Sequence, residues 1–456
     1  MELPGPLRRS RDWVDHVARA SPARLALMVF ATIIVLVTAL LSLPAATAGG
    51  QRAPIADALF TATSAVCVTG LVTVDTATYW SPFGQAVILV AIKVGGLGVM
   101  TLASILGLAV SRRIGLTQRM LAATETKTTR LGEVGTLVRA VVVASLVVEL
   151  ALSIVLVPRF LSLGESFGQA LWHGVFMALS IFNNAGFVVL EGGLAPFVGD
   201  WWMGLPIVLG TVVGAVGFPV ILNVARTWRS PRRWSLHTKL TLVTYGALAA
   251  ASTVAIAALE WVNPRTMGGL PVHEKILTSL ISGVNSRSSG LSTIDVGDMR
   301  EATWFLQDAL MFVGGGSAST AGGIKVTTFA VLVLAIVAEA RGDRDVEAFG
   351  RRIGSPTVRL AVAVAFLGST LVGGGTLLLL MLTDLHLDVL LFEVISAFAT
   401  VGLSTGITGQ LPDSGKYVLT ALMFAGRTGT MTLAAALAIR HRRRVIRLPA
   451  ERPVIG

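Results

Sequence analysis

Residues 313–326 read VGGGSASTAGGIKV, five glycines and a lysine inside an otherwise apolar stretch. A phosphate-cradling loop of the form GxxxxGK[ST] needs lysine directly after its last glycine and Ser or Thr after the lysine. Here Ile324 separates Gly323 from Lys325, and Val326 follows, so that reading fails. A flexible linker fails as well, because apolar sequence continues on both sides over residues 304–339, a run of 36 residues. As one helix such a run would extend about 54 Å, far more than a hydrocarbon core of ~30 Å requires. The pattern predicts a discontinuous helix in a membrane, with the glycine-rich segment at the break.

The rest of the chain supports a membrane setting. Charged residues make up 14% of the 456 residues and apolar residues 53%, with a mean hydropathy of +0.74. An average soluble protein carries roughly 25% charged residues. Long apolar runs fall at about 25–43, 83–110, 136–157, 203–225, 240–261, 304–339, 359–382 and 417–439. Each is long enough to cross a bilayer. Residues 25–43 follow a basic N-terminus and exceed the apolar core of a signal peptide, so they are expected to be a retained span. Four shorter runs, at about 55–66, 169–182, 272–284 and 388–399, cannot cross and read as re-entrant segments.

Of the 37 Lys and Arg residues, 26 lie in the N-terminal tail, in the loops 111–135, 226–239 and 340–359, and in the tail from Arg440. That asymmetry places both termini in the cytoplasm. It accounts for the net charge of +11 through topology and contact with the lipid bilayer, with no nucleic acid partner implied. The single cysteine, Cys67, excludes an intramolecular disulfide, and the six scattered histidines show no metal-binding spacing.

The order of long span, short run, long span occurs four times. Each short run ends in a peptide containing glycine: Ser64–Leu71 (SAVCVTGL), Phe182–Phe187 (FNNAGF), Asn285–Leu291 (NSRSSGL) and Ala399–Ser404 (ATVGLS). The glycines Gly70, Gly186, Gly290 and Gly402 are 116, 104 and 112 residues apart. One glycine after one apolar helix is an ordinary C-cap. Four in register, each between two spans and all on one side, point to four parallel units around one axis. Irregular backbone at membrane depth is tolerated only when buried or lining a wet cavity. A short helix entering from outside directs its partially negative C-terminal end toward the membrane centre, which favours a cation. The fold class expected is therefore an all-α integral membrane protein.

These stretches carry a family resemblance. TSAVCVTGLVTVDT (63–76), GGLGVMTLAS (95–104), NNAGF (183–187), GGGSASTAGGIKVTTF (314–329), ATVGLSTGIT (399–408) and MFAGRTGTMTL (423–433) together resemble the membrane subunit of the Trk/Ktr/HKT superfamily of potassium transporters, across residues 25–440. The KtrB branch is the most similar, since eight spans are present without the extra N-terminal pair of TrkH. The resemblance implies four parallel M1–P–M2 repeats around a single pore, with eight transmembrane helices and four re-entrant pore helices. The repeats would be 25–110, 134–226, 238–340 and 356–440, flanked by cytoplasmic tails 1–24 and 441–456.

The resemblance also implies residue roles. A K+ selectivity filter would be formed by Val68, Thr69, Gly70, Asn184, Ala185, Gly186, Ser288, Ser289, Gly290, Thr400, Val401 and Gly402, with K+ on backbone carbonyls. Glycine at all four filter positions resembles the potassium-selective pattern. An intramembrane gating loop, 314–325, would include Gly314, Gly315, Gly316, Ser317, Ser319, Thr320, Gly322, Gly323 and Lys325, with Arg427 as its latch. Its hydroxyls and glycines are expected to keep it mobile and hydrated, and Lys325 to add an electrostatic barrier. The implied function is gated potassium uptake across the plasma membrane, with sodium dependence left open. No cofactor is implied for this chain. Nucleotide (ATP, ADP or NAD) would belong to a separate cytosolic regulator-of-conductance ring, KtrA- or TrkA-like, beneath a homodimer.

Alternatives are a TrkH-like or less selective Na+/K+ transporter and, in another class, a polytopic membrane enzyme acting on a lipid. The enzyme reading lacks clustered intramembrane carboxylates or histidines. Asp295, Asp298 and Glu301 read as a solvated, cation-attracting vestibule. Two further charges fall within apolar or filter sequence. Arg287 is expected to brace the third peptide, paired with Glu274 or another carboxylate. Lys93 stands where many relatives have glutamine, and pairing with Glu149, pairing with Glu393 or lining the pore all remain open.

Overall fold

The computed structural model describes residues 22–113 and 132–429. The tail 1–21, residues 114–131 of the first basic loop and the residues from 430 on lie outside the described residues, so the tails expected to be cytoplasmic are named here only as such. The regular secondary structure of the described residues is α-helical apart from short 3-10 turns, one π turn and a two-stranded hairpin.

The elements in order are α1 (Pro22–Leu41), α2 (Ile55–Cys67), α3 (Pro82–Arg113), α4 (Gly132–Ser162), α5 (Phe167–Asn183), α6 (Trp201–Val216) and α7 (Phe218–Thr227). They continue with α8 (Leu236–Glu260), α9 (Val272–Asn285), α10 (Glu301–Phe312), α11 (Val326–Arg341), α12 (Ser355–Leu382), α13 (Leu387–Ala399) and α14 (Asp413–Phe424). Among the described residues, four segments have the length and hydropathy to cross a membrane: Pro82–Leu102, Val138–Ser162, Leu236–Glu260 and Ser355–Leu382. The bent pair α6–α7 makes a fifth if it counts as one span. Their lipid-facing character shows in exposed Val90, Leu146, Leu150, Val254, Phe366 and Leu377.

Several long apolar runs are not single helices. The 304–339 run divides into α10 and α11 on either side of the glycine-rich segment. The 203–225 run bends by 96° at Gly217. There the backbone takes φ +95°, and Pro219 follows two residues later. A positive φ suits glycine, and proline sits readily in a first helical turn but not in a helix interior. The 417–439 run begins as α14 and passes into a π turn, Ala425–Gly429.

The four short runs fall on α2, α5, α9 and α13. Their C-terminal halves are largely buried, and α2 buries every residue from Ala56 to Cys67 except Leu59. Such burial explains the small and apolar composition of those halves, since a helix surrounded by protein can be apolar all round. Three carry a carboxylate in the first turn, Asp57, Glu274 and Asp388, where the helix dipole favours it. The fourth starts with a capping box in which Ser166 and Gln169 bond reciprocally.

Packing runs around the molecule. α1, α2 and α3 contact one another, as do α4, α5 and α6; α12, α13 and α14 form a third such group, and α8 packs on α9 and α11. Neighbouring groups join through α3 on α4 and α5, α9 on α6, α10 on α13, and α14 on α2. The last contact includes an ion pair between Lys416 Nζ and Asp57 Oδ1 at 2.8 Å. The first and last groups of described helices therefore meet.

The basic loop 340–359 holds an antiparallel hairpin, β1 (Val346–Ala348) and β2 (Arg351–Ile353), in the register Val346 with Ile353. Its turn, Phe349-Gly350, has φ +51° and +72°. Two positive φ values at the turn are the geometry that matches the twist of paired strands.

Candidate functional site

After α2, α5 and α13 the chain turns through a left-handed residue, Val68 (φ 56°), Asn184 (φ 57°) or Thr400 (φ 48°). In each case a serine six residues before the glycine organises the turn. The amides of Thr69, Ala185 and Val401 donate to the carbonyls of Ser64, Ser180 and Ser396 at 2.7, 2.8 and 3.0 Å. The hydroxyls of Ser64 and Ser396 accept from the amides of Gly70 and Gly402, both at 3.1 Å. Ser180 Oγ instead donates to the Phe187 carbonyl at 2.7 Å. The third peptide has Val284 at that position. Asn285 substitutes for the missing hydroxyl, donating from Nδ2 to the Leu291 carbonyl at 2.8 Å and accepting from Ser289 Oγ at 2.7 Å.

The four peptides meet in a closed cyclic order. Gly70 faces the Ala185 carbonyl, Gly186 the Ser289 carbonyl, Gly290 the Val401 carbonyl and Gly402 the Thr69 carbonyl. A Cβ on Gly70, Gly186 or Gly290 would stand 2.5 Å from that oxygen, and one on Gly402 would clash as well. All four glycines have positive φ: 92°, 73°, 63° and 95°. Close approach and backbone conformation both demand glycine here. Glycines of α3, of α6 and of the π turn fit against the same peptides. Gly95, Gly214 and Gly426 leave no room for a Cβ beside the carbonyls of Val66, Phe182 and Phe398, each four residues before a ring glycine.

The glycine-rich segment 313–325 packs under this ring. It closes on itself through Gly314 N to Ile324 O (2.9 Å) and Val326 N to Gly315 O (3.0 Å). It also serves the broken end of α6: Gly316 N donates to Ala215 O (2.7 Å) and Thr320 N to Gly214 O (3.3 Å), while Phe218 N donates to Ala318 O (3.3 Å). Carbonyls orphaned where a helix breaks are thereby satisfied.

Thr320 is the hub of the segment. Asn184 Nδ2 donates to its hydroxyl at 2.5 Å, and Arg427 Nη1 donates to its carbonyl. Gly322 packs against Thr400 and the Ala399 carbonyl, so the segment touches the second and fourth peptides at once. Lys325 Nζ turns back onto the Ala321 carbonyl at 2.7 Å, and Ser317 Oγ lies 3.1 Å from Thr327 Oγ1. The hydrated loop expected from its composition differs from what is seen. Ser319 and Thr320 are fully buried, and Ser319 Oγ is engaged with the Gly316 carbonyl at 2.6 Å.

Arg287 corrects an expectation. It has no carboxylate partner among the described residues; its guanidinium stacks 3.9 Å from the centre of the Tyr245 ring, and its three nitrogens make no hydrogen bond. Glu274 sits at the opposite end of α9, about 20 Å away at 1.5 Å per residue. Burial beside an aromatic face leaves the π system as the compensating partner. Arg287→Gln is therefore expected to reduce rubidium-86 uptake into proteoliposomes by about 30-fold at unchanged folding, the scale of a desolvated cation–π contact of about 2 kcal/mol. Unchanged uptake would make Arg287 a packing residue only.

Lys93 pairs with Glu149, at 2.7 Å to both carboxylate oxygens. Glu393 belongs elsewhere: buried in α13, it accepts from Ser404 Oγ and from Thr408 Oγ1 (3.1 Å), tying the segment after the fourth peptide to its own helix. Asp295, Asp298 and Glu301 are all exposed.

A family model described as TrkH, cation transport protein, matches residues 18–446. The chain belongs to the TrkH family. It is 37% identical over 434 residues to Ktr system potassium uptake protein B of Bacillus subtilis, covering 94% of this chain and 95% of that one. It is 35% identical over 439 residues to Ktr system potassium uptake protein D of the same organism, covering 96% and 97%. In fold it resembles the crystal structure of the potassium transporter TrkH from Vibrio parahaemolyticus, with a TM-score of 0.70, 16% identity, and 89% and 83% of the two chains covered. This TrkH-family chain is a multi-pass membrane protein.

Some of the organising residues were missed in the sequence. Ser64, Ser180 and Ser396 recur at one offset from the ring glycines, a signal that superposing the four short runs would have exposed. Gly95, Gly214 and Gly426 sit at unequal offsets from the ring glycines, so only packing reveals their common task.

Proposed function

We propose that this chain is the ion-translocating subunit of a Ktr-type potassium uptake system, passing K+ through one gated path per protomer. The observation that carries the reading is the closed ring in which each glycine faces the carbonyl preceding the next glycine. Four repeats of span, re-entrant helix and span, at 25–110, 134–226, 238–340 and 356–440, surround that ring in this reading. The carbonyls of Thr69, Ala185, Ser289 and Val401 replace the hydration shell of a potassium ion. The C-terminal ends of α2, α5, α9 and α13 add partial negative charge. Thr69 Oγ1, Asn184 Oδ1 and Thr400 Oγ1 are buried oxygens without hydrogen-bond partners among the described residues, a donor chemistry suited to an alkali cation.

The segment 314–325 is the gate in this reading and Arg427 its latch, because it bridges the second and fourth peptides directly below the ring. The similar Bacillus proteins are named as parts of Ktr systems, which supports a multi-component assembly. The assembly proposed is a homodimer on a cytosolic nucleotide-binding ring, with both termini of this chain cytoplasmic.

The test is rubidium-86 uptake into liposomes containing the purified chain, with potassium or sodium as competitor. Uptake blocked by potassium and spared by sodium is the expected result. Equal block by both ions would overturn potassium selectivity, and absence of uptake even with the cytosolic ring added would overturn the assignment as a conducting subunit.

A further inference from the structure

One ion pair inside the membrane region has no task yet. Lys93 on α3 donates to Glu149 Oε1 and Oε2 at 2.7 Å and to Ser145 Oγ at 2.6 Å, both partners being on α4. Ser145 Oγ in turn donates to Glu149 Oε1 at 2.9 Å. All three ammonium protons thus have acceptors, and the charges cancel within one cluster. A bare lysine at this depth would repel a passing cation; a neutralised one does not.

Glu149 has one more partner. Asn183 Nδ2 donates to its Oε1 at 3.0 Å and to the Leu179 carbonyl at 2.9 Å. Asn183 is fully buried and ends α5, three residues before Gly186. On its other side stands Gly96 of α3, where a Cβ would collide with Asn183 Oδ1. The amide is clamped between α3 and α4, two residues from Ala185, whose carbonyl faces Gly70. The same offset in the other peptides holds Cys67, Arg287 and Ala399. Neither Cys67 nor Arg287 bonds to a carboxylate among the described residues.

We infer that Lys93 and Glu149 are positioning residues for the second glycine peptide, acting through Asn183, and that they set discrimination between potassium and sodium. The inference rests on the ring being the selectivity filter. Sites that select by geometry must be held to within about 0.5 Å, and the hold comes from groups behind them. Lys93 orients the Glu149 carboxylate, Glu149 fixes the Asn183 amide, and that amide fixes where the Ala185 carbonyl points.

The experiment compares rubidium-86 uptake by full-length variants in liposomes, read as the ratio of sodium to potassium needed for half block. Lys93→Met and Glu149→Gln are each expected to lower that ratio roughly tenfold, the scale of one hydrogen bond to a charged group, while uptake persists. Lys93→Arg, which keeps the charge, is expected to preserve it. Gly186→Ser, in the ring itself, reports on the filter reading. A wild-type ratio in Lys93→Met, with a lowered ratio or lost uptake in Gly186→Ser, overturns the positioning role and leaves the filter standing. A wild-type ratio in Gly186→Ser overturns the filter reading, and this inference with it. Should Lys93→Met fail to fold, the doubly neutral Lys93→Met/Glu149→Gln protein decides, because it leaves no unpaired charge. A lowered ratio at a wild-type melting temperature supports the inference, and a wild-type ratio ends it.

Discussion

Gly70→Ala is expected to reduce potassium-blocked rubidium-86 uptake by roughly 100-fold, the scale at which small misplacements at a reacting or binding centre act. Two effects contribute, and they can be separated. The first is backbone strain, because φ is +92° at Gly70 and an alanine there is disfavoured by about 1–3 kcal/mol. The second is contact: the new methyl would stand 2.5 Å from the Ala185 carbonyl oxygen and 2.9 Å from the Gly186 Cα. Gly164 supplies the control, since its φ is +91° with nothing within 4 Å of an added Cβ. Gly164→Ala carries the strain alone and should leave uptake at the wild-type level. If both variants lose uptake equally, strain is the cause and the ring has no special part. Because the ring is cyclic, alanine at Gly186, Gly290 or Gly402 should behave as Gly70→Ala does.

Arg427→Ala is expected to raise uptake by the isolated chain, by about 10- to 100-fold. Its guanidinium donates to the Thr320 carbonyl, and a hydrogen bond from a charged donor contributes about 1.5–3 kcal/mol. Removing it shifts the balance between a seated and a displaced loop by the corresponding factor. Thr320→Ala removes only the hydroxyl that Asn184 binds and keeps the carbonyl that Arg427 uses. A smaller increase is expected there. Uptake unchanged in Arg427→Ala, measured beside wild-type protein at equal lipid-to-protein ratio, would mean that other contacts hold the loop.

The break in the 304–339 run was legible, because its glycine-rich segment interrupts an apolar run too long for one span. The break in the 203–225 run was not: its length suits one span, although Gly217-Phe218-Pro219 bends it by 96°. The short helices α2, α5, α9 and α13 fall on the four short apolar runs, which are too short to cross and whose C-terminal halves are small and apolar. Partner choice was not legible. Lys93 faced two plausible carboxylates, and only the approach of α4 to α3 selects Glu149 over Glu393. Arg287 was assigned an acid by charge logic, whereas Tyr245 comes from another helix, α8, with no charge to announce it. The hairpin at 346–353 escaped notice because its strands are three residues each and carry charges on both faces of a basic loop.

The reciprocal capping of α6 and the glycine-rich segment has a consequence for how the path can open. Gly316, Thr320 and Phe218 amides are all committed across that junction, to carbonyls of Ala215, Gly214 and Ala318. Lifting the segment strips partners from six peptide groups at a depth where hydrocarbon offers none. Water has to arrive as the segment leaves. In the proposed gating role of this segment, opening is a wetting event as much as a movement, and the work of hydrating the junction belongs to the barrier between the shut and conducting forms.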